Sequence, residues 1–216
     1  MSDLFLAKLN LLFLRKLIAM QKILVSLFVF ISLLSFGQQK VTAEVFQKNL
    51  NDEFSDATKS PLSNEDRLEF KSLDFFPIDS NFIVEAKFQK SKNEKAFEMK
   101  TTTDRMPMYV KYGEISFAIN GEKFKLNIYQ NIDLIKRPGF KNHLFLPFTD
   151  LTSGDESYVG GRYIDLEIPK GKTIIVDFNQ AYNPYCAYNI KYSCPIVPYE
   201  NDLATHIKAG VKKFHD

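Results

Sequence analysis

Downstream of Pro77 the chain is written in short runs of alternating apolar and polar residues, separated by turn residues. That period of two constrains the fold more than any other feature, because successive side chains of a strand face opposite sides of a sheet. The strongest case is Ile115, Phe117 and Ile119 on one side of Asn120-Gly121, with Phe124, Leu126 and Ile128 on the other. Asn-Gly between two alternating runs predicts a tight hairpin, since both central residues tolerate positive φ. Further strands are predicted over 81–88, 96–103, 106–110, 143–148, 162–168 and 173–178, the last entered through the turn Pro169-Lys170-Gly171-Lys172. Twenty Phe and ten Tyr, with no Trp, suit strands better than helices.

Ahead of this region the period changes. Val41, Val45, Phe46, Leu50 and Phe54 recur mostly at four-residue steps, a helical pattern that Pro61 ends. Ser63 then caps a second short helix, with Asp66 three residues on and Leu68, Phe70 and Leu73 as its buried side. The expectation is a mainly β (α+β) fold: an antiparallel β-barrel or sandwich of about seven or more strands, with one or two N-terminal helices packed alongside.

The first 37 residues read differently. Lys22 opens an apolar run from Ile23 to Phe36, followed by Gly37-Gln38-Gln39-Lys40. A cationic start, an apolar stretch of about 14 residues and small residues at its end make a secretory signal peptide. Residues 1–37 are read as that signal, with 1–19 upstream of a true start at Met20, and 38–216 as a single domain. The competing reading is a membrane anchor, which Lys8, Arg15, Lys16 and Lys22 interrupt. No Cys follows the run, which argues against a lipid anchor. The expected product is periplasmic or secreted, without a stable membrane span. The leader carries a net +3 of the chain's formal +2, so about −1 remains. That balance offers nucleic acid no concentrated basic face.

The segment from Asp150 to Asn201 does not read as plain scaffold. Its first block is Phe148-Thr149-Asp150-Leu151-Thr152-Ser153-Gly154-Asp155-Glu156-Ser157-Tyr158, then Gly160-Gly161-Arg162-Tyr163. Its second is Asp177-Phe178-Asn179-Gln180-Ala181-Tyr182-Asn183-Pro184-Tyr185-Cys186-Ala187-Tyr188-Asn189, closed by Cys194-Pro195 and Pro198-Tyr199-Glu200-Asn201. These blocks resemble the signature of the bacterial DUF1684 family, and the resemblance runs from about Pro61 to Gly210. The chain departs from that pattern at Ser157, where Thr is usual, at Val197-Pro198, where two prolines are expected, and at Gly210-Val211, where Gly-Glu is expected. The resemblance implies a shared fold and a shared use of these positions, and no activity.

The residues themselves allow three functional readings. In the first, a cleft built from the 150–163 and 177–201 segments binds a small polar ligand or a peptide. Its candidates are Asp150, Thr152, Tyr158, Arg162, Tyr163, Asp177, Asn179, Tyr182, Asn183, Glu200 and Asn201. A guanidinium grips an anionic group in bidentate fashion, carboxylates orient it, and phenols offer an apolar face with a polar tip. In the second, Asp150, Asp177 or Glu200 act as acid and base of a hydrolase. In the third, the motif is structural, with Arg162 paired to Asp150 or Asp177, and the partner surface lies elsewhere. A serine nucleophile is not supported, because no Gly-x-Ser-x-Gly elbow is present.

Cys186 and Cys194, with seven residues between them, are the only cysteines. In an oxidising compartment such a pair reads first as a disulfide, which stabilises by about 2.5 kcal/mol through chain entropy. A two-Cys metal site is the rival, but His143, His206 and His215 show no metal spacing with either Cys. No metal and no cofactor are expected. If both thiols are free, Cys186 is a candidate reactive residue.

Overall fold

Eight strands form one curled sheet in this computed structural model, which describes Gln21 and residues 41–215. The proposed leader therefore lies outside the described residues. The strands are β1 (Ile83–Lys90), β2 (Phe97–Glu98), β3 (Met108–Ile119), β4 (Glu122–Asn131), β5 (His143–Asp150), β6 (Arg162–Glu167), β7 (Thr173–Asp177) and β8 (Asp202–Leu203). They run in the order β6-β5-β4-β3-β1-β7, with β2 on β3 and β8 on β5. All pairs are antiparallel except β5–β8. The protein is mainly β, a half-barrel with few helices.

The hairpin β3–β4 forms as its turn chemistry requires. Asn120 (φ 52°) and Gly121 (φ 84°) both sit in the left-handed region, and Ile115, Phe117 and Ile119 face Leu126, Phe124 and Glu122 in register. Two departures from expectation have physical causes. The runs over 106–110 and 114–119 are one strand, because a bulge between Lys111 and Gly113 absorbs the break in alternation. The strand expected over 96–103 shrinks to Phe97–Glu98, after which the chain pairs instead with Pro195 through Thr101.

The core lies on the concave face. Ala86, Ile115, Ile128, Leu144, Leu146, Phe148, Val176 and Phe178 are all buried there. A second cluster forms where helix α1 (Ala43–Ser55) sets Phe54 against Tyr188, Leu62, Leu73 and Val211. Thr42 caps α1 and Ser63 caps the short α2 (Asn64–Glu69), each through its hydroxyl. Leu68 was expected on the buried side of α2 but is 82% exposed, since only Phe70 and Leu73, beyond that single turn, reach the cluster. Val41 and Val45 are likewise exposed.

Residues from Thr42 onward form one compact unit. After β7 the chain leaves the sheet, yet it remains tied to it. Tyr163 at the free edge of β6 exchanges two backbone hydrogen bonds with Tyr182. The C-terminal tail then threads between the chain before β1 and the segment after β7: Phe76 donates to the Gly210 carbonyl and Val211 to that of Ala181. Among the described residues no helix is long and apolar enough to cross a membrane.

Candidate functional site

Arg162 opens β6 and is completely buried, as is the side chain of Asp150 at the end of β5. A buried guanidinium must spend its donors on fixed partners, because unpaired charge in the interior is severely destabilising. Arg162 Nη2 donates to Asp150 Oδ1 (3.0 Å), to Thr152 Oγ1 (3.3 Å) and to the Ile207 carbonyl (2.8 Å), while Nη1 donates to the Ala209 carbonyl. Its Cζ lies over the rings of Phe76 and Phe148, 5.7 and 5.3 Å from their centroids. Burial draws the guanidinium pKa below its ordinary value, and Asp150 pushes back.

Asp150 answers from the other side. Its Oδ2 accepts from the Ile207 N–H at 2.7 Å and from the Thr152 hydroxyl at 2.9 Å, and that hydroxyl also meets Ser157 Oγ at 2.8 Å. The pair thus holds both faces of the Ile207–Ala209 backbone. Of the sequence readings, the Arg162–Asp150 pair that fixes loops is the geometry found. Thr152 belongs to it.

The remaining candidates divide into pins and phenols. Asn179 is buried and exchanges hydrogen bonds with the backbone of Asp79, Nδ2 donating to the carbonyl and Oδ1 accepting from the N–H, both at 3.0 Å. Asp177 accepts from Asn179 and Gln180 and starts the 3-10 turn over Phe178–Gln180. Asn201 fills the fork where β4 and β5 diverge: its amide bonds both backbone groups of Asn127 and the Pro147 carbonyl. Asn183 donates to the Lys212 carbonyl at 2.8 Å. Glu200 is exposed. The three motif carboxylates therefore have separate partners: Asp150 holds Arg162, Asp177 holds a local turn, and Glu200 faces water.

Tyr163 is buried and donates to the Pro195 carbonyl, and Tyr182 donates to Asp165 Oδ2 at 3.0 Å. Tyr158 is the exception among the phenols, because its hydroxyl meets a thiol: Cys186 Sγ is 3.9 Å away. Cys186 and Cys194 are free in the structure, with the Cys186 N–H directed at Cys194 Sγ at 3.1 Å. Hydrogen bonding from Cys194 and then Tyr158 pulls the Cys186 thiol down to about 6 against the effect of burial. Burial, then the sulfur beside it, pushes Tyr158 up to about 12. Cys194 is driven the opposite way, first by its bond to Cys186 and then by burial.

A hollow of about 460 Å³ opens elsewhere, lined by Asp74, Asp155, Glu156, Lys212, Lys213, Phe214 and His215. None of the predicted site residues lines it, although Asp155 and Glu156 stand inside the motif block that supplied several. Lys212 Nζ lies 3.1 Å from Asp74 and Lys208 Nζ 2.8 Å from Glu156. In sequence these are scattered charges, and only the tail's return past the β5–β6 loop, where Lys213 N–H donates to the Glu156 carbonyl, gathers them. Among the described residues no three His, Cys, Asp or Glu side chains gather to hold a metal ion.

No curated protein matches the chain. The fold is similar to the solution NMR structure of an uncharacterised protein from Haloarcula marismortui, with a TM-score of 0.62 and 33% identity over 78% of this chain and 91% of that one. The sequence profile described as "Protein of unknown function (DUF1684)" matches residues 68–212, the span that holds both motif blocks and the buried clamp. The chain belongs to the DUF1684 family.

Proposed function

We propose that the protein is an exported, β-rich binding protein that takes a small polar ligand carrying both charges, an amino acid or short peptide, in the hollow beside the C-terminal tail. The observation that carries this reading is the meeting of Asp74, Asp155 and Glu156 with Lys212, Lys213 and His215 around about 460 Å³. That volume lies in the range of small-molecule sites, and Phe214 is its one large apolar wall. A polar lining with both signs of charge favours a zwitterion over an apolar molecule. In this reading the Asp150–Arg162 clamp is the support of the site: it fixes the tail that supplies one wall, next to the loop that supplies the other. The separate partners of Asp150, Asp177 and Glu200 favour binding over acid–base hydrolysis, which needs two carboxylates at one reacting centre.

The test is a thermal-shift screen of amino acids, dipeptides and peptidoglycan-derived peptides. At about 100 times its Kd a true ligand stabilises by about 2.7 kcal/mol, a rise of roughly 5–10 °C in Tm for a chain of this size. Lys212→Ala and Glu156→Gln are expected to lose at least half of that rise. A library that moves no midpoint, or one that moves wild type and both variants equally, overturns the reading.

A further inference from the structure

We infer that Cys186 and Cys194 form a reversible dithiol–disulfide couple, with Cys186 as the attacking thiol and Cys194 as the resolving one. The inference rests on an asymmetry of geometry. Cys186 is half-buried on a three-residue 3-10 turn, Tyr185–Ala187, that follows Pro184. Cys194 is buried and held by its backbone from both sides, its N–H donating to Thr102 Oγ1 at 3.1 Å and its carbonyl accepting from the Thr102 N–H at 2.9 Å. The next residues stay in register with the same strand-like segment, through the Thr101–Pro195 bridge and the Ile196 N–H to Lys100 carbonyl bond. One sulfur is thus reachable and the other is fixed beneath it, the arrangement in which an incoming disulfide meets a single thiol first.

The surroundings favour negative charge on the outer sulfur. The Tyr158 hydroxyl lies 3.9 Å from Cys186 Sγ, the Cys186 N–H is directed at Cys194 Sγ at 3.1 Å, and Tyr163 and Arg105 are further titratable groups that bear on the pair. A thiolate is the nucleophile in exchange, and a thiol made acidic by hydrogen bonds near ambient pH is well placed to attack. In the forward step Cys186 thiolate attacks one sulfur of a substrate disulfide, a mixed disulfide forms and one substrate thiolate leaves. Cys194 then gives up its proton and attacks Cys186 Sγ, and the second substrate thiol departs. The protein dithiol is oxidised by two electrons and the substrate disulfide is reduced to two thiols. Reduced glutathione or a reduced protein dithiol returns the couple.

The experiment uses the purified protein with glutathione disulfide as the probe. Reduced wild type is expected to lose about 2 Da by intact mass, with residues 186 and 194 bridged, and to regain them in excess reduced glutathione while still folded. C194S is expected to accumulate a glutathione adduct on residue 186, with an alkylation-versus-pH midpoint well below the ordinary thiol value of about 8.5. Tyr158→Phe in that background is expected to raise the midpoint, because it removes a donor to the sulfur. Far-ultraviolet circular dichroism checks the fold of each variant, and the wild-type mass measurement needs no substitution. Failure to bridge, a bridge that folded protein keeps in excess reduced glutathione, an adduct confined to Cys194, or a midpoint at or above the ordinary value overturns the couple.

Discussion

At the scale of single residues the signature is a set of buried polar groups that hold backbone. Arg162 does not wait for a ligand; its Nη donors end on Asp150, Thr152 and two carbonyls of the tail, and only its buried Nε is left without a partner among the described residues. Replacing Asp150 by Ala leaves the guanidinium buried without its counter-charge and the Ile207 N–H without its acceptor. The expected loss is about 3–5 kcal/mol, read as a fall in the urea midpoint at constant m-value. The exposed Lys48–Asp52 pair is the control, and Lys48→Ala is expected to cost under about 1 kcal/mol. A D150A loss no larger than that control would mean the clamp is not holding the tail. The pairing of Arg162 with a motif carboxylate was legible in the sequence, because Arg162 is the one Arg of its region. Its carbonyl partners were not, since Ile207 and Ala209 carry no polar side chain to advertise them.

At the scale of elements, what the sequence states well is period and turn chemistry. Asn120-Gly121 and the alternations around it lead directly to β3 and β4, and Ser63 leads to the cap of α2. What it states poorly is where alternation survives an interruption. Gly113 reads as a break, yet its position inside β3 lets the Phe88 ring and the Gln89 carbonyl occupy the space of a Cβ, 2.6 and 2.7 Å from where one would stand. Gly121 and Gly161 make a sharper comparison, because both have φ of +84°. An added Cβ at Gly121 meets nothing, whereas at Gly161 it meets the Phe148 carbonyl at 2.5 Å, in the pair that sets Arg162 into register. Gly121→Ala is therefore expected to cost about 1–2 kcal/mol of left-handed strain alone. Gly161→Ala adds a backbone collision and is expected to cost more than about 3 kcal/mol. Equal midpoints for the two variants in urea would remove the claim that close approach, beyond the turn itself, selects glycine before Arg162.

At the scale of the whole molecule, a half-barrel leaves an open edge and an uncovered end, and the polar pins answer both. Tyr182 covers the free edge of β6, Asn201 fills the β4–β5 fork, and the tail, clamped by Arg162 and Asp150, packs Ile207, Ala209 and Val211 into the interior. The period-2 runs predict the sheet. They cannot predict this covering, whose clamp and fork contacts run between side chain and backbone across more than 40 residues of sequence. The same covering carries the cysteine pair and walls the hollow, so both proposals depend on one architecture while their readouts, ligand stabilisation and thiol chemistry, stay separate. Compartment links them. On the export reading proposed above, residues 1–37 would direct the protein to an oxidising space, where substrate disulfides are plentiful and an acidic thiol has a reactant. The compact unit starts at Thr42, the cap of α1, and that helix is tied to the rest of it through Phe46 on Tyr182 and Gln47 on the Asn179 carbonyl, all of which a chain beginning at Gln38 retains. Protein recovered from the cell envelope or medium is expected to begin at Gln38 by intact mass, and the 38–216 chain made directly is expected to unfold at the same urea midpoint as the processed one. Recovery of a product that still carries residues before Gln38, or its retention in the cytoplasm, would remove the leader reading and with it the oxidising environment, while leaving the clamp and the half-barrel as they stand.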